Sequence, residues 1–101
     1  VIKSHEGTYF IEIQDILSIT ADGMYSKFQL KNKVILSSKP LKVYEQIHDE
    51  LFRCHRSHII NIKQIKKMEG QTVILHDNQQ YPVSRNHKTD LIKILTTRTK
   101  S

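Results

Sequence analysis

Residues 51–62 read L-F-R-C-H-R-S-H-I-I-N-I, and this stretch decides the fold. Phe52–Cys54 and His58–Ile62 are rich in aromatic and β-branched residues, as short half-buried strands are. The polar run His55-Arg56-Ser57 lies between them. The expectation is two strands joined by a polar loop. Cys54 alternates with Phe52 and reads as an inward residue, because free cysteine usually behaves as a small buried hydrophobe.

Outward from this tract the pattern repeats. Thr8–Ile13, Ile16–Thr20, Tyr25–Leu30, Val34–Ser37, Thr72–His76 and Gln80–Val83 are short runs of the same kind, and Ile is the commonest residue with 14 copies. Turn-like steps separate them: Glu6-Gly7, Asp22-Gly23, Lys31-Asn32-Lys33, Glu69-Gly70 and Asp77-Asn78. Strands at this spacing predict a mostly β, antiparallel architecture. Two stretches read as short helices. Ser38-Lys39-Pro40 opens a segment in which Leu41, Tyr44, Ile47 and Leu51 recur at helical steps, with Ser38 or Lys39 as N-cap. Ser84 caps a second run carrying Leu91, Ile92, Ile94 and Leu95, expected to fray over the β-branched Thr96–Thr99.

With 101 residues the chain is one domain, residues 1–101, of ordinary globular composition: 38% hydrophobic and 26% charged. The single cysteine excludes an internal disulfide framework and fits a cytoplasmic setting. No apolar run approaches the roughly 18–20 residues of a membrane span, so no membrane partner is expected. The chain opens on Val1, which suggests a piece of a longer protein. The net charge is +6 and unevenly placed. Before residue 51 six lysines face seven acids; after it, ten lysines and arginines face three acids. A basic half attracts polyanions, although charge alone fits a solvated surface equally well.

The chemistry for catalysis is missing. Gly7, Gly23 and Gly70 stand apart in separate turns, so there is no glycine-rich phosphate loop. No carboxylates are paired for acid–base work, and no serine sits in a nucleophile elbow. Cys54-His55-Arg56-Ser57-His58 could offer a thiol nucleophile or a zinc site. Neighbours on a strand point to opposite faces, however, so Cys54 and His55 would not converge. No enzyme, metal or cofactor is expected.

The same residues read better as anion-binding loops. Arg is shaped for bidentate bonding to guanine or phosphate. A second cluster, Ser84-Arg85-Asn86-His87-Lys88, lies at a helix start, where free backbone N–H groups attract phosphate. A third is the Asp22–Lys27 turn. Together, on a chain whose charge is concentrated in one half, they favour nucleic-acid binding over a neutral scaffold.

The run Phe52-Arg53-Cys54-His55-Arg56-Ser57-His58-Ile59-Ile60-Asn61, followed by Gln80-Tyr81-Pro82-Val83-Ser84-Arg85-Asn86, resembles the LytTR family of bacterial DNA-binding domains. That family carries an aromatic-x-x-His-[Arg/Lys/Asn]-Ser segment ending in Val-Asn, and later a strand ending in Ser-Arg. The resemblance covers nearly the whole chain, with Asp15–Tyr25 and Leu41–Leu51 in the expected places. It implies an elongated arrangement of small antiparallel sheets, about ten strands in all, with one or two short helices. It also implies a cytoplasmic bacterial output domain of a two-component response regulator, following a receiver or sensor domain that would supply dimerisation. The implied partner is duplex DNA, read at promoter repeats by loops reaching successive major grooves.

Carried over by position, the loops of that family fall on Gly23, Met24 and Tyr25, on His55, Arg56 and Ser57, and on Arg85 and Asn86. Arg56, Arg85, Asn86 and Met24 are the candidates for base contact. Met24 and Tyr25 stand where some relatives place basic or imidazole groups, which suits Met24 to a thymine methyl rather than a hydrogen bond. His55, Ser57, Tyr25, Lys27, Lys88 and Lys66 are candidates for contacts to the phosphate backbone, which position without reading sequence. Lys63, Lys66 and Lys67 read equally well as a solvated strand edge. Asn61 reads as a structural hydrogen-bonder. The alternative to specific readout is a module that keeps the fold and uses its basic face for a protein or an anionic surface.

Overall fold

The tract 51–62 folds as a hairpin at the side of a five-stranded sheet. In the computed structural model, which describes residues 2–4 and 7–99, the first strands are β1 (Ile2–Ser4), β2 (Gly7–Tyr9), β3 (Ile16–Asp22), β4 (Tyr25–Leu30) and β5 (Val34–Ser37). They are followed by β6 (Leu51–His55), β7 (His58–Asn61), β8 (Ile65–Glu69), β9 (Thr72–Leu75) and β10 (Gln80–Pro82). A single α-helix, α1 (Arg85–Thr99), closes the described chain. All pairing is antiparallel. The strands form a five-stranded sheet ordered β5-β4-β3-β7-β6, a three-stranded sheet β10-β9-β8, and the β1-β2 hairpin. The molecule is elongated, 40 × 26 × 23 Å.

Period-2 alternation sends successive residues of a strand to opposite faces, and the large sheet has a core on each. Ile59 and Ile60, adjacent on β7, belong to different cores. On one face Ile19, Phe28, Ile35 and Ile59 pack against Leu41 and Tyr44. Phe28 and Tyr44 meet edge-on, with ring centroids 4.8 Å apart, and the Tyr44 hydroxyl bonds to Ser37 Oγ. On the other face Leu17, Cys54 and Ile60 meet Val73, Leu75 and Val83 of the small sheet and Leu91 of α1. Asn61 is fully buried where the chain leaves β7. Its Nδ2 donates to the carbonyls of Ile13 and Ile16, and its Oδ1 accepts from the Lys63 N–H.

Three expectations from the sequence need correction. The strand over Thr8–Ile13 is confined to Gly7–Tyr9; Ile11, in an irregular segment, and Ile13, which opens a 3-10 turn over Ile13–Asp15, pack on the first core without joining a ladder. The helix over Leu41–Leu51 is only a 3-10 turn, Leu41–Tyr44, and Pro40 at its N-cap offers no side-chain bond. Ile47, the third apolar position of that period, is half exposed, and Leu51 belongs to β6. Lys66 and Lys67 are exposed on β8, an edge strand, in keeping with their reading as a solvated strand edge. Finally, α1 runs unbroken through Thr96 to Thr99, with Thr97 Oγ1 donating back to the Lys93 carbonyl at 2.9 Å. Packing of Leu91, Ile94 and Leu95 on the second core outweighs the weak local propensity.

Candidate nucleic-acid interface

Strand order brings three polar connections to one end of the large sheet. The β3–β4 turn is Gly23-Met24, and Gly23 takes φ 63° while Met24 does not go positive. Positive φ at the first loop position alone is the pattern of a type II′ turn, whose twist suits a tight hairpin. Met24 stands 83% exposed at its tip. β7 lies beside β3, so the β6–β7 turn, Arg56-Ser57, is next to it. The Ala21 N–H donates to the Ser57 carbonyl at 2.9 Å, and Thr20 Oγ1 bonds to His58 Nδ1 at 3.0 Å. The start of α1 joins them from the far side of β6: the Ser84 N–H donates to the Cys54 carbonyl at 2.9 Å.

Within this end the backbone is held by side chains. His55 Nδ1 accepts from the Ser57 N–H at 3.1 Å. In the tautomer that makes this bond the ring proton sits on Nε2, which can act as a donor. The Arg53 guanidinium donates to Glu45 Oε2 at 2.9 Å and to the Arg56 carbonyl at 2.6 Å. Ser84 accepts the N–H groups of His87 and Lys88 on its carbonyl, and its hydroxyl bonds to His87 Nδ1 at 2.5 Å. The His87 ring meets Phe52 edge-on. The aligned peptide dipoles of α1 place their positive end here.

Burial sets the titration of the groups underneath. His58 lies between His55 and Tyr81, and its pKa is lowered first by burial and then by the charge of His55. The Tyr81 hydroxyl bonds to Ser18 Oγ, and burial raises its pKa. Burial pushes the Cys54 thiol up to about 12. Its Sγ faces the carbonyls of Pro82 and His58 inside the second core, away from solvent. Such a thiol is a core atom and not a nucleophile. Among the described residues, no three His, Cys, Asp or Glu side chains are grouped to hold a metal ion.

Of the residues singled out from sequence, Met24, Tyr25, His55, Arg56, Ser57, Arg85 and Asn86 fall at this end. Met24, Tyr25, Arg56, Arg85 and Asn86 are exposed. Lys27 is exposed on β4 two residues from the turn, and Lys88 is half-buried in the first turns of α1. Lys66 is placed elsewhere. Its Nζ donates to Asn78 Oδ1 at the end of β8 where the His76 N–H meets the Gln64 carbonyl, opposite to Ser84. Lys63 at that same end is paired with Glu50. Sequence reading passed over Lys39, because Ser38-Lys39-Pro40 looked like a helix start. Lys39 is exposed beside the β3–β4 turn, and its carbonyl accepts from Ser26 Oγ at 2.7 Å. Nothing in the sequence marks Arg53 either, since its guanidinium is held by Glu45 across the fold.

Comparison with known proteins points the same way. Residues 6–96 match the model of the LytTr DNA-binding domain family. Among solved structures, the LytTr DNA-binding domain of a Bacillus cereus protein described as a methyl-accepting/DNA response regulator superposes with a TM-score of 0.75. The match covers 93% of each chain at 21% sequence identity, a likeness of fold. Comparison with curated proteins gives no match. No described helix is long and apolar enough to cross a membrane.

Proposed function

The chain belongs to the LytTr DNA-binding domain family, and from that premise we propose that it reads duplex DNA in a sequence-specific way, as the output domain of a transcriptional response regulator. The observation that carries this reading is the convergence of the three polar connections at one end of the large sheet. β4, β3, β7 and β6 are consecutive in the sheet, so the two hairpin turns are centred two strand spacings apart, roughly 10 Å, with the start of α1 beyond β6. Two turns at that spacing suit a major groove about 12 Å wide. Arg56 and Arg85 act as the direct readers, with Asn86 suited to adenine and Met24 to a thymine methyl. His55, Ser57, Tyr25, Lys27 and Lys88 hold phosphates at the rim. Of the acids near these turns, Glu45 is matched by Arg53.

The test is selection from a random duplex library at two salt concentrations, using this domain alone. The expected outcome is an enriched short motif, repeated at about one helical turn, 10–10.5 bp. Salt-sensitive binding with no enriched motif would replace this reading with a generally anionic or protein partner.

A further inference from the structure

The β6–β7 turn is poorly suited to its own geometry. A two-residue hairpin loop matches the twist of its strands when one or both residues take positive φ. Gly23 does so in the β3–β4 turn; neither Arg56 nor Ser57 does. The register also shifts between Arg53 and His55, a bulge that bends β6 just before the turn. Left to itself such a loop would sample several conformations, and the Arg56 side chain would follow.

External ties select one of them. The Ser57 N–H is held by His55 and the Ser57 carbonyl by Ala21. The Arg56 carbonyl, belonging to the residue whose side chain reads, is held by Arg53. We propose that Arg53, anchored by Glu45, is a positioning residue that fixes the direction in which Arg56 approaches DNA. The inference rests on the assignment of Arg56 as a reader.

The chain of contacts reaches the core. Glu45 follows the 3-10 turn Leu41–Tyr44, whose Leu41 and Tyr44 are buried, and its N–H is tied to the Lys42 carbonyl. Its carboxylate takes one arm of the Arg53 guanidinium, and the other arm takes the Arg56 carbonyl. A planar fork with donors on two nitrogens can serve both partners at once; a lysine ammonium on a flexible stem cannot hold both directions as firmly. Both bonds are charge-assisted, and the Arg53 and Glu45 side chains are 25% and 38% exposed. Glu45 has a second effect: it neutralises Arg53, which keeps this cation from becoming another sequence-blind phosphate contact.

This gives a readout that a merely structural role would not move, the ratio of affinity for the selected site to affinity for random duplex. Glu45→Gln removes the anchor and releases a positive charge. Affinity for the selected site is expected to fall about fivefold to tenfold, while affinity for random duplex holds or rises. Arg53→Lys, which keeps the charge, is expected to lower the ratio likewise, with the melting temperature measured alongside as the control for folding. Arg56→Ala serves as the reference for complete loss of that reader. If Arg56→Ala abolishes selectivity but Glu45→Gln and Arg53→Lys keep the wild-type ratio, the clamp is overturned and the reading of function stands. If the wild-type domain selects no site, or Arg56→Ala leaves selectivity intact, the reader assignment fails and the clamp with it.

Discussion

The backbone N–H of Ala21 donates to the carbonyl of Ser57 at 2.9 Å, just beyond the last ladder pair of β3 and β7, Thr20 with His58. One bond thus fastens the turn that carries Met24 to the turn that carries Arg56. Groups 36 residues apart in the chain are thereby tied together, and loops whose relative positions are fixed before binding cost less to order on a partner.

Arg56→Ala and Arg85→Ala should each weaken binding to the selected site by about 1–3 kcal/mol, the discrimination of one bidentate base contact. Both side chains are exposed and outside the cores, so the melting temperature should stay close to wild type. Fluorescence anisotropy with the selected duplex and a scrambled one measures both terms. Wild-type affinity and specificity in both variants would refute the loop assignment.

Salt dependence separates two lysines that look alike in sequence. Lys27 is exposed near the β3–β4 turn, whereas Lys66 bonds to Asn78 at the opposite end of the small sheet. Lys27→Ala should lower the slope of log K against log salt by about one. Lys66→Ala should leave that slope unchanged. The reverse result would put the DNA along β8.

Most of the sheet was legible because burial on one face writes itself as period-2 alternation. β4 alternates Ser26, Phe28 and Leu30 inward with Tyr25 and Lys27 outward, in step with its sequence pattern. β8 was legible only as one of two readings of its lysines, because a shift of register between Ile65 and Lys67 places two lysines together and breaks the alternation. The Leu41–Leu51 period failed because local spacing cannot tell that Ile47 faces solvent. In the candidate interface the loop residues were legible by type, as exposed Arg, Asn and Met in polar turns. Arg53 and Lys39 were not, because their roles depend on Glu45 and Ser26, contacts that exist only once the strands are paired.

Asn61 bears on stability and not on readout. Asn61→Ala would leave the carbonyls of Ile13 and Ile16 and the Lys63 N–H without their present partner in a buried site. The expected loss is about 2–4 kcal/mol, or roughly 10–20 °C in melting temperature for a domain of this size. Calorimetry on wild type and variant measures it. A shift under a few degrees would show that water replaces the amide.

Two groups beneath the candidate interface should shape stability on either side of neutrality. His58 has its pKa lowered in the fold, by burial and then by His55. The unfolded chain therefore binds more protons below the ordinary value of 6.5, and stability present above that pH falls as pH drops through it. Cys54 is the opposite case, raised from 9.0 to about 12. The unfolded chain loses its thiol proton first, so stability present below pH 9.0 falls as pH rises toward 12. Tyr81, raised from 10.0, adds to the decline only at higher pH. Melting temperature against pH should thus form a plateau between these limits. His58→Gln should flatten its acid side, and Cys54→Ala should flatten the onset of its alkaline side near pH 9 while lowering the plateau by the small cavity it leaves. An alkaline onset unmoved by Cys54→Ala would mean that the thiol reaches solvent in the folded protein.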